Sequence, residues 1–473
     1  LLSGLEAVEI KYSYLIKRNE IFRLDSDFFK KQYLHEENSI LNKEHGELKK
    51  FTKDIKSFGA YSLNNFIEYQ EKGIPFIRGL NLKNGIIDFS DVIYINVDAH
   101  KLLWKSEIKP ETVLLSMSGT IGDVAFCHAS YDFPMNSNQD IAKIRLDDNK
   151  INPYFIYVFL LTSFGKNEII REGRGSVQQH VFLSQIEKLL IPVLSNNFQL
   201  DIETLIKLSH KKLEQSKEDY QQAETLLLTE LDLLNFKPST ENIAIKSFSE
   251  SFGNSGRLDG EYYQPKYDEI EDKIRSYKGG YGSLEKICSL KDRNHKPEDK
   301  KHHQYIELSN IGNTGDITGF THELGKDLPS RARRVVVKGD VVVSSVEGSL
   351  EKIALVTQEF DKSFCSTGFY VISSNIINPE TLLVLLKNKI MKQLLKHVCS
   401  GTILTAINKD EFLKINLPII DKNIQVQITE KIIASFKLKA ESKQLLDLAK
   451  QAVETAIEQD EAAAIKLIEA YEV

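Results

Sequence analysis

Asn, Gln, Arg and small hydroxyl residues gather in a few short stretches of this chain, and their chemistry suits the reading of base edges. Asn136-Ser137-Asn138-Gln139-Asp140 and Arg174-Gly175-Ser176-Val177-Gln178-Gln179-His180 carry the richest sets. An Asn or Gln amide pairs at two points with adenine, and an Arg guanidinium does so with guanine. Asn138, Gln139, Arg174, Gln178, Gln179 and His180 are therefore candidate groove-reading side chains. Arg78 and Asn81 stand at the end of an apolar run, and Ser116, Ser118, Thr120 and Ser176 offer hydroxyls suited to a phosphate or a base edge. In the second half of the chain the corresponding candidates are Asn310, Ser345, Ser349, Thr367, Thr402, Thr405 and Lys409.

Catalytic readings are weaker. Asn152-Pro153-Tyr154-Phe155 looks like the Asn-Pro-Pro-Tyr motif with which adenine methyltransferases hold a base, but it lacks the second proline. A capping Asn followed by Pro at the first helical position explains it, and explains Asn378-Pro379-Glu380, which has no aromatic. A metal-dependent nuclease needs carboxylates and a lysine at a strand end. Asp140 and Lys143 in one half, and Asp340, Glu351 and Lys352 in the other, never make the same set. Cys127, Cys288, Cys365 and Cys399 lie far apart, with neither metal-ligand nor redox spacing, which points to a reducing cytoplasm. His295, His302 and His303 fall in a mixed-charge run, residues 291–303, that reads as a mobile loop. The expectation is binding without catalysis, with no metal and no cofactor held by this chain.

A duplicated frame positions these residues. Residues 151–217 recur without a gap as 377–443: Ile151-Asn152-Pro153 meets Ile377-Asn378-Pro379, Gly175 meets Gly401, Pro192 meets Pro418 and Gln199 meets Gln425. Each copy reads as a helix, a Gly-Ser or Gly-Thr loop, a second short helix, a strand ending in Pro, and a long helix. Upstream, Arg23-Leu24-Asp25 with Phe28-Phe29 returns as Arg257-Leu258-Asp259 with Tyr262-Tyr263. Residues 75–82 answer 304–311, each copy followed by a Gly turn and another strand, the pattern of a hairpin. Val113-Leu114-Leu115-Ser116 answers Val341-Val342-Val343-Ser344, a buried strand entering a polar loop, and residues 136–140 stand opposite 365–369.

The long helices repeat most informatively. Ile202, Ile206, Ser209, Leu213, Ser216, Tyr220, Ala223 and Leu227 fall at steps of four and three, the spacing of a coiled-coil seam. The second copy keeps the register with Ile428, Ile432, Ser435, Lys439, Ser442, Leu446, Ala449 and Val453. Small Ser and Ala on both seams predict a close approach. About 35 residues of helix make a rod of about 50 Å.

At 473 residues the chain has room for two or three domains, and 41% hydrophobic with 27% charged residues is an ordinary globular composition. No apolar run reaches membrane-spanning length, and the first residues do not form a signal peptide. The chain opens at Leu1, as a piece trimmed from a longer product would. A net charge of −6 argues against a chain that holds nucleic acid unaided, although local basic faces can coexist with acidic helices that serve protein partners.

The paired frames make the chain resemble a specificity subunit of a Type I restriction-modification system. Gly119-Thr120-Ile121-Gly122 after a buried strand is similar to the family's strand-to-loop signature. The Gly-Ser or Gly-Thr loop, the strand to Pro192 or Pro418, and Gln199 or Gln425 opening a long helix are similar to its join between recognition domain and spacer. Departures are Ser195-Asn196-Asn197 and Asp421-Lys422-Asn423 where the family often has a Pro-rich turn, and Glu347-Gly348-Ser349-Leu350, which lacks a second glycine. The resemblance implies an α+β chain: two mixed α/β target-recognition domains joined by long helices that form an antiparallel coiled coil. Their bounds would be residues 1–198 and 237–423 for the domains and 199–236 and 424–473 for the helices. It further implies a non-catalytic, cytoplasmic subunit that reads a split target in double-stranded DNA and docks two modification subunits, which would bind S-adenosylmethionine. A restriction and translocase subunit would join for cleavage, and no membrane is involved. Two other readings remain: the recognition portion of a fused restriction-methyltransferase, and a coiled-coil scaffold that reads nothing.

Overall fold

A computed structural model describes residues 7–18, 23–57, 67–174, 179–400 and 405–471. The chain divides into two compact units, residues 1–211 with 441–473 and residues 212–440, and each long helix contributes to both.

In the first unit the run Thr112–Ser116 is buried at every position, as an apolar strand covered on both faces must be. It lies within a four-stranded antiparallel sheet, between Val124–Cys127 and Ile141–Leu146, with Thr52–Lys56 at the far edge. Alternate side chains serve different cores, because successive Cβ atoms leave opposite faces of a strand. Val113 and Leu115 pack with the helix Pro153–Leu161, whereas Leu114 packs with Ile77, Ala125 and Cys127 under the second sheet. That second sheet runs Tyr69–Gln70, Ile93–Ile95, Ile74–Ile77, Met135–Ser137, Glu107–Ile108. Its one parallel pair joins Ile74–Ile77 to Met135–Ser137.

The second unit repeats the plan. Ile353–Leu355, Val341–Ser344, Phe369–Ser374 and Cys288–Leu290 form the buried sheet in the same order. Thr321–Leu324, His302–Ile306, Phe364–Ser366 and Ala332–Val335 form the other, again with one parallel pair, His302–Ile306 with Phe364–Ser366. Val341 and Val343 face the helix-bearing core, and Val342 faces away from it.

The capping reading of the Asn-Pro pairs holds in both units. Asn152 Oδ1 accepts from the backbone N–H of Tyr154 and Phe155, and Asn378 Oδ1 from that of Thr381, with Pro153 and Pro379 in the first turn. Gln199 and Gln425 lock the following join. The Asn152 N–H donates to Gln199 Oε1 at 2.8 Å and the Asn378 N–H to Gln425 Oε1 at 2.7 Å. Each Gln amide then donates back to the carbonyl five residues before it, Leu194 or Ile420, at 2.8 Å.

The long helices are Asn196–Glu230 and Lys422–Glu458, and they run antiparallel in each unit. In the first unit Ser209 Oγ donates to the Ser442 carbonyl at 2.8 Å, and in the second Ser435 Oγ donates to the Ser216 carbonyl at 2.7 Å. An advance of seven residues on one helix thus meets a retreat of seven on the other. Small seam residues bring backbone within reach of a side-chain hydroxyl, and Ile202, Ala223, Ile428, Ile432, Ala449 and Val453 fill the remaining seam. Lys439 departs from the apolar pattern for a local reason: its ammonium meets Asp316 at 2.7 Å on a turn of the second unit.

Several expectations are revised. The strands at 74–77 and 302–306 keep the antiparallel neighbours that the hairpin reading expects, Ile93–Ile95 and Thr321–Leu324, and add a parallel partner some sixty residues on, which hairpin spacing cannot reveal. Ser137 and Cys365 hold the same place in the two frames, each paired with the corresponding isoleucine, Ile77 or Ile306, so the alignment of 136–140 with 365–369 shifts by one residue. The second long helix stops at Glu458; Asp460 caps a separate helix, Glu461–Ala470, packed on the first unit's core. Residues 291–301 are irregular but tied down, through Lys291 to Asp340 at 2.6 Å and the His295 N–H to the Arg333 carbonyl at 2.6 Å, while His302 and His303 open the strand His302–Ile306.

Candidate nucleic-acid interface

In the first unit the candidate residues of four separate stretches come together at one end of the two sheets. The polypeptide leaves strand Thr112–Ser116 through a turn in which Gly119 and Gly122 take left-handed φ values of 76° and 86°. Ser116 is buried, donates to the Ser118 carbonyl at 3.1 Å and accepts from Thr120 Oγ1 at 3.2 Å, so it shapes the turn, whose exposed hydroxyl is that of Thr120. Gly79 lies close enough that a Cβ there would stand 3.0 Å from Ser116 Oγ. That contact joins the 78–81 turn to the 116–122 turn. Asn81 is buried and works on its own turn, accepting from the Arg78 N–H at 2.9 Å and donating to the Asp88 carbonyl at 3.2 Å. On the other side, the Met117 N–H donates to the Asp140 carbonyl at 2.7 Å, drawing in Asn138 and Gln139, both partly exposed.

The remaining stretch is closed by a bridge between Arg174 and His180, whose backbones exchange hydrogen bonds at 3.0 and 2.7 Å. Ser118 also bridges to His180. Arg174 and Gln179 are exposed and border a cleft that Arg23 and Lys30 also line. Ser176 and Gln178 lie outside the described residues, as does Thr402 in the second unit.

The second unit closes the equivalent turns with equivalent bridges but different side chains. Ser400 pairs with Ala406 where Arg174 pairs with His180, and Val346 bridges to Ala406 where Ser118 bridges to His180. Ser345 Oγ donates to the Gly368 carbonyl at 2.9 Å, and the Glu347 N–H donates to the Thr405 carbonyl at 3.1 Å. Ser345, Thr367 and Thr405 therefore sit close together, all partly exposed. Lacking the second glycine, the loop after Val341–Ser344 winds into a 3-10 turn, Glu347–Ser349, with Leu350 at φ −61° and buried beneath it. Ser349 Oγ holds that turn through Ser344 Oγ at 2.9 Å. Asn310 Oδ1 accepts from the Glu307 N–H at 2.9 Å, repeating the work of Asn81. Lys409, at the start of the helix Lys409–Lys414, is exposed and paired with Asp292.

Charge near these turns is largely committed to the fold. Arg171, three residues before Arg174, is buried and paired with Glu37 at 3.1 Å, with the Phe28 ring 4.6 Å from its guanidinium carbon. Lys396 pairs with Glu261 at 2.9 Å. Beneath the Asn138 turn, burial pushes the Lys143 ammonium down to about 7, where it donates to Ser137 Oγ at 2.8 Å and to the Ile141 carbonyl at 3.3 Å. Arg23 and Arg257 play one role twice. Each forms an ion pair two residues on, with Asp25 at 2.7 Å or Asp259 at 2.5 Å. Each also donates to the carbonyl just before the loop, Gly173 at 3.3 Å or Cys399 at 3.1 Å. The repeated Arg-Leu-Asp motif carries this signal in the sequence, but only the structure reveals that it anchors the base of a candidate loop. Among the described residues no group of three or more His, Cys, Asp and Glu could hold a metal ion, and no helix is long and apolar enough to cross a membrane.

The same frame thus occurs twice, once in each unit, with unlike polar turns. The chain belongs to the family described as the Type I restriction modification DNA specificity domain, which matches it twice, over residues 49–224 and 282–447. The specificity subunit of the type I restriction enzyme HindI from Haemophilus influenzae is 33% identical over 128 residues, covering 25% of this chain and 28% of that protein. The match thus spans little more than a quarter of that relative's length. The S subunit of a Type-I restriction-modification system from M. genitalium shares 16% identity at a TM-score of 0.41, with 88% of this chain and 95% of that one covered. The HsdS subunit from Thermoanaerobacter tengcongensis shares 13% identity at a TM-score of 0.30, with 88% and 97% covered. Scores this low add nothing to the family match.

Proposed function

We propose that this chain is the DNA-reading subunit of a Type I restriction-modification complex, each unit reading one half of a split target through the major groove. The observation that carries the reading is the doubled turn cluster: the same bridges close the same turns in both units, yet Asn138, Gln139, Arg174 and His180 in one give way to Ser366, Thr367, Ser400 and Ala406 in the other. Conserved geometry with changed hydrogen-bonding groups is what two readers of different short sequences require. The exposed or partly exposed polar residues, Thr120, Asn138, Gln139, Arg174 and Gln179 with Ser345, Thr367, Thr405 and Lys409, are the proposed contacts, together with Ser176, Gln178 and Thr402. Asn81, Ser116, Asn310 and Ser349 serve by shaping the turns that present them.

The chain supplies recognition and no catalytic group. Two modification subunits bearing S-adenosylmethionine dock on it and methylate adenine, and restriction subunits join them in the cytoplasm to cleave. The paired helices fix the gap between half-sites. A net charge of −6 fits this division of labour, because partner subunits share the neutralisation of phosphate. Selection of duplexes from a random library by the chain assembled with its modification subunits tests the reading. Two constant halves at a fixed separation support it, and a contiguous motif or no enrichment refutes it.

A further inference from the structure

The parallel strand pair is the place in each unit where two backbones distant in sequence end side by side. In the first unit Ser137 pairs with Ile77 and the Asn138 N–H donates to the Ile77 carbonyl at 3.0 Å, so Arg78 and Asn138 leave the sheet as neighbours. In the second unit Cys365 pairs with Ile306, and the neighbours are Glu307 and Ser366. The support beneath is alike, Phe76 in one frame and Tyr305 in the other, both buried. What emerges above it differs completely: a guanidinium and an amide in one unit, a carboxylate and a hydroxyl in the other.

Arg78 and Asn138 line one surface depression with Gln139 and the rings of Tyr69 and Phe76. Part of each side chain is fixed. Arg78 Nη2 donates to the Asp91 carbonyl at 2.5 Å, and Asn138 Nδ2 donates to the Asp140 carboxylate at 3.0 Å. The other part is not: Arg78 Nε and Asn138 Oδ1 are buried atoms without a hydrogen-bond partner among the described residues. Native proteins seldom leave such atoms unmatched, since each is costly. The Arg78 side chain is 26% exposed and forms part of the lining of that depression.

One donor beside one acceptor selects among the bases. In the major groove guanine offers two acceptors, cytosine a donor, thymine an acceptor and a methyl group, and adenine a donor at N6 beside an acceptor at N7. We propose that Arg78 and Asn138 read an adenine in the half-site of the first unit, Arg78 Nε donating to N7 and Asn138 Oδ1 accepting from the N6 amino group. This assignment rests on the DNA-reading function above and goes beyond it by naming one base and the two atoms that select it.

The test uses the chain assembled with its modification subunits and its selected duplex, each adenine of the target being replaced in turn by 7-deazaadenine, which lacks only the N7 acceptor. Wild-type affinity falls about ten-fold at one adenine, the size of a lost base-edge contact. The Arg78→Met variant shows no further penalty for 7-deazaadenine at that position and keeps its penalties elsewhere, which also marks it as folded. If Arg78→Met does not bind, Arg78→Ala takes its place in the same series. Tolerance of 7-deazaadenine at every adenine, or an undiminished penalty in Arg78→Met, overturns the assignment while leaving the DNA-reading function standing. Failure of the complex to select any split target overturns both.

Discussion

Replacing Ser435 tests whether close approach, and not mere apolarity, holds the long helices together in the second unit. Ser435 is fully buried, its hydroxyl 2.7 Å from the Ser216 carbonyl and 3.1 Å from Ser216 Oγ. Ser435→Ala removes the bond to the Ser216 carbonyl and the bond shared with Ser216 Oγ and adds no atoms. The Ser216 carbonyl keeps its place within its own helix and the Ser216 hydroxyl can turn to a carbonyl of the preceding turn, so the net cost is about 1 kcal/mol. Ser435→Leu loses the same two contacts and drives two further carbons toward opposing backbone that is already in contact, adding about 1 to 3 kcal/mol of overpacking. For a unit of this size each kcal/mol moves Tm by about 2 to 4 °C. Ser435→Ala should therefore melt about 2 to 4 °C lower and Ser435→Leu about 4 to 16 °C lower, followed by circular dichroism at 222 nm. A leucine variant as stable as wild type, or more stable than the alanine variant, would mean that the seam has room and that its serines do not set the helix separation. Ser209→Leu in the first unit should repeat the result independently, because Ser209 meets the Ser442 carbonyl at 2.8 Å.

Three further outcomes follow from buried charge. Arg171→Met takes the cation away from Glu37, whose side chain is 1% exposed and which keeps the Tyr14 hydroxyl, and should cost about 3 to 5 kcal/mol in denaturant unfolding; adding Glu37→Leu should recover most of that loss. Lys143 is neutral in the folded state above about 7 and charged when unfolded up to about 10.4, so the unfolded state binds the extra proton between those values and stability rises with pH across them, by at most about 1.4 kcal/mol per unit. Lys143→Met should abolish that slope, and a slope identical to wild type would mean that the lysine stays charged. Lys439→Ala leaves Asp316 only 16% exposed and without its cation, at a cost of about 2 kcal/mol. Burial works to raise the Asp316 carboxyl, but Lys439 and its hydrogen bonds override it and hold it below the ordinary range. Its contribution is present above about pH 3.9 and fades as pH falls below that, so wild type and Lys439→Ala should converge in acid.

What was legible in the sequence was local or repeated. The seam from Ile202 to Leu227 could be read because a helix imposes its three-and-four spacing residue by residue, and the second copy kept it. Asn152-Pro153 could be read as a cap because capping needs nothing beyond the next turn. The parallel pairing of Ile74–Ile77 with Met135–Ser137 could not, since no spacing rule links strands so far apart, and it is this pairing that sets Arg78 beside Asn138. A change in loop length between residues 82 and 113 hid a one-residue slip, enough in a strand to exchange the two faces. The fate of charge was also hidden: Arg171 and Arg174 look alike in sequence, but one is buried against Glu37, 134 residues away, and the other is exposed.

The most direct measurement is the adenine methylome of cells that carry this chain with its modification subunit, set against cells that lack only this chain. The account predicts a split motif, two short constant halves at a fixed gap, that disappears with the chain. Methylation unchanged by its loss would contradict the claim that this protein reads DNA for the complex.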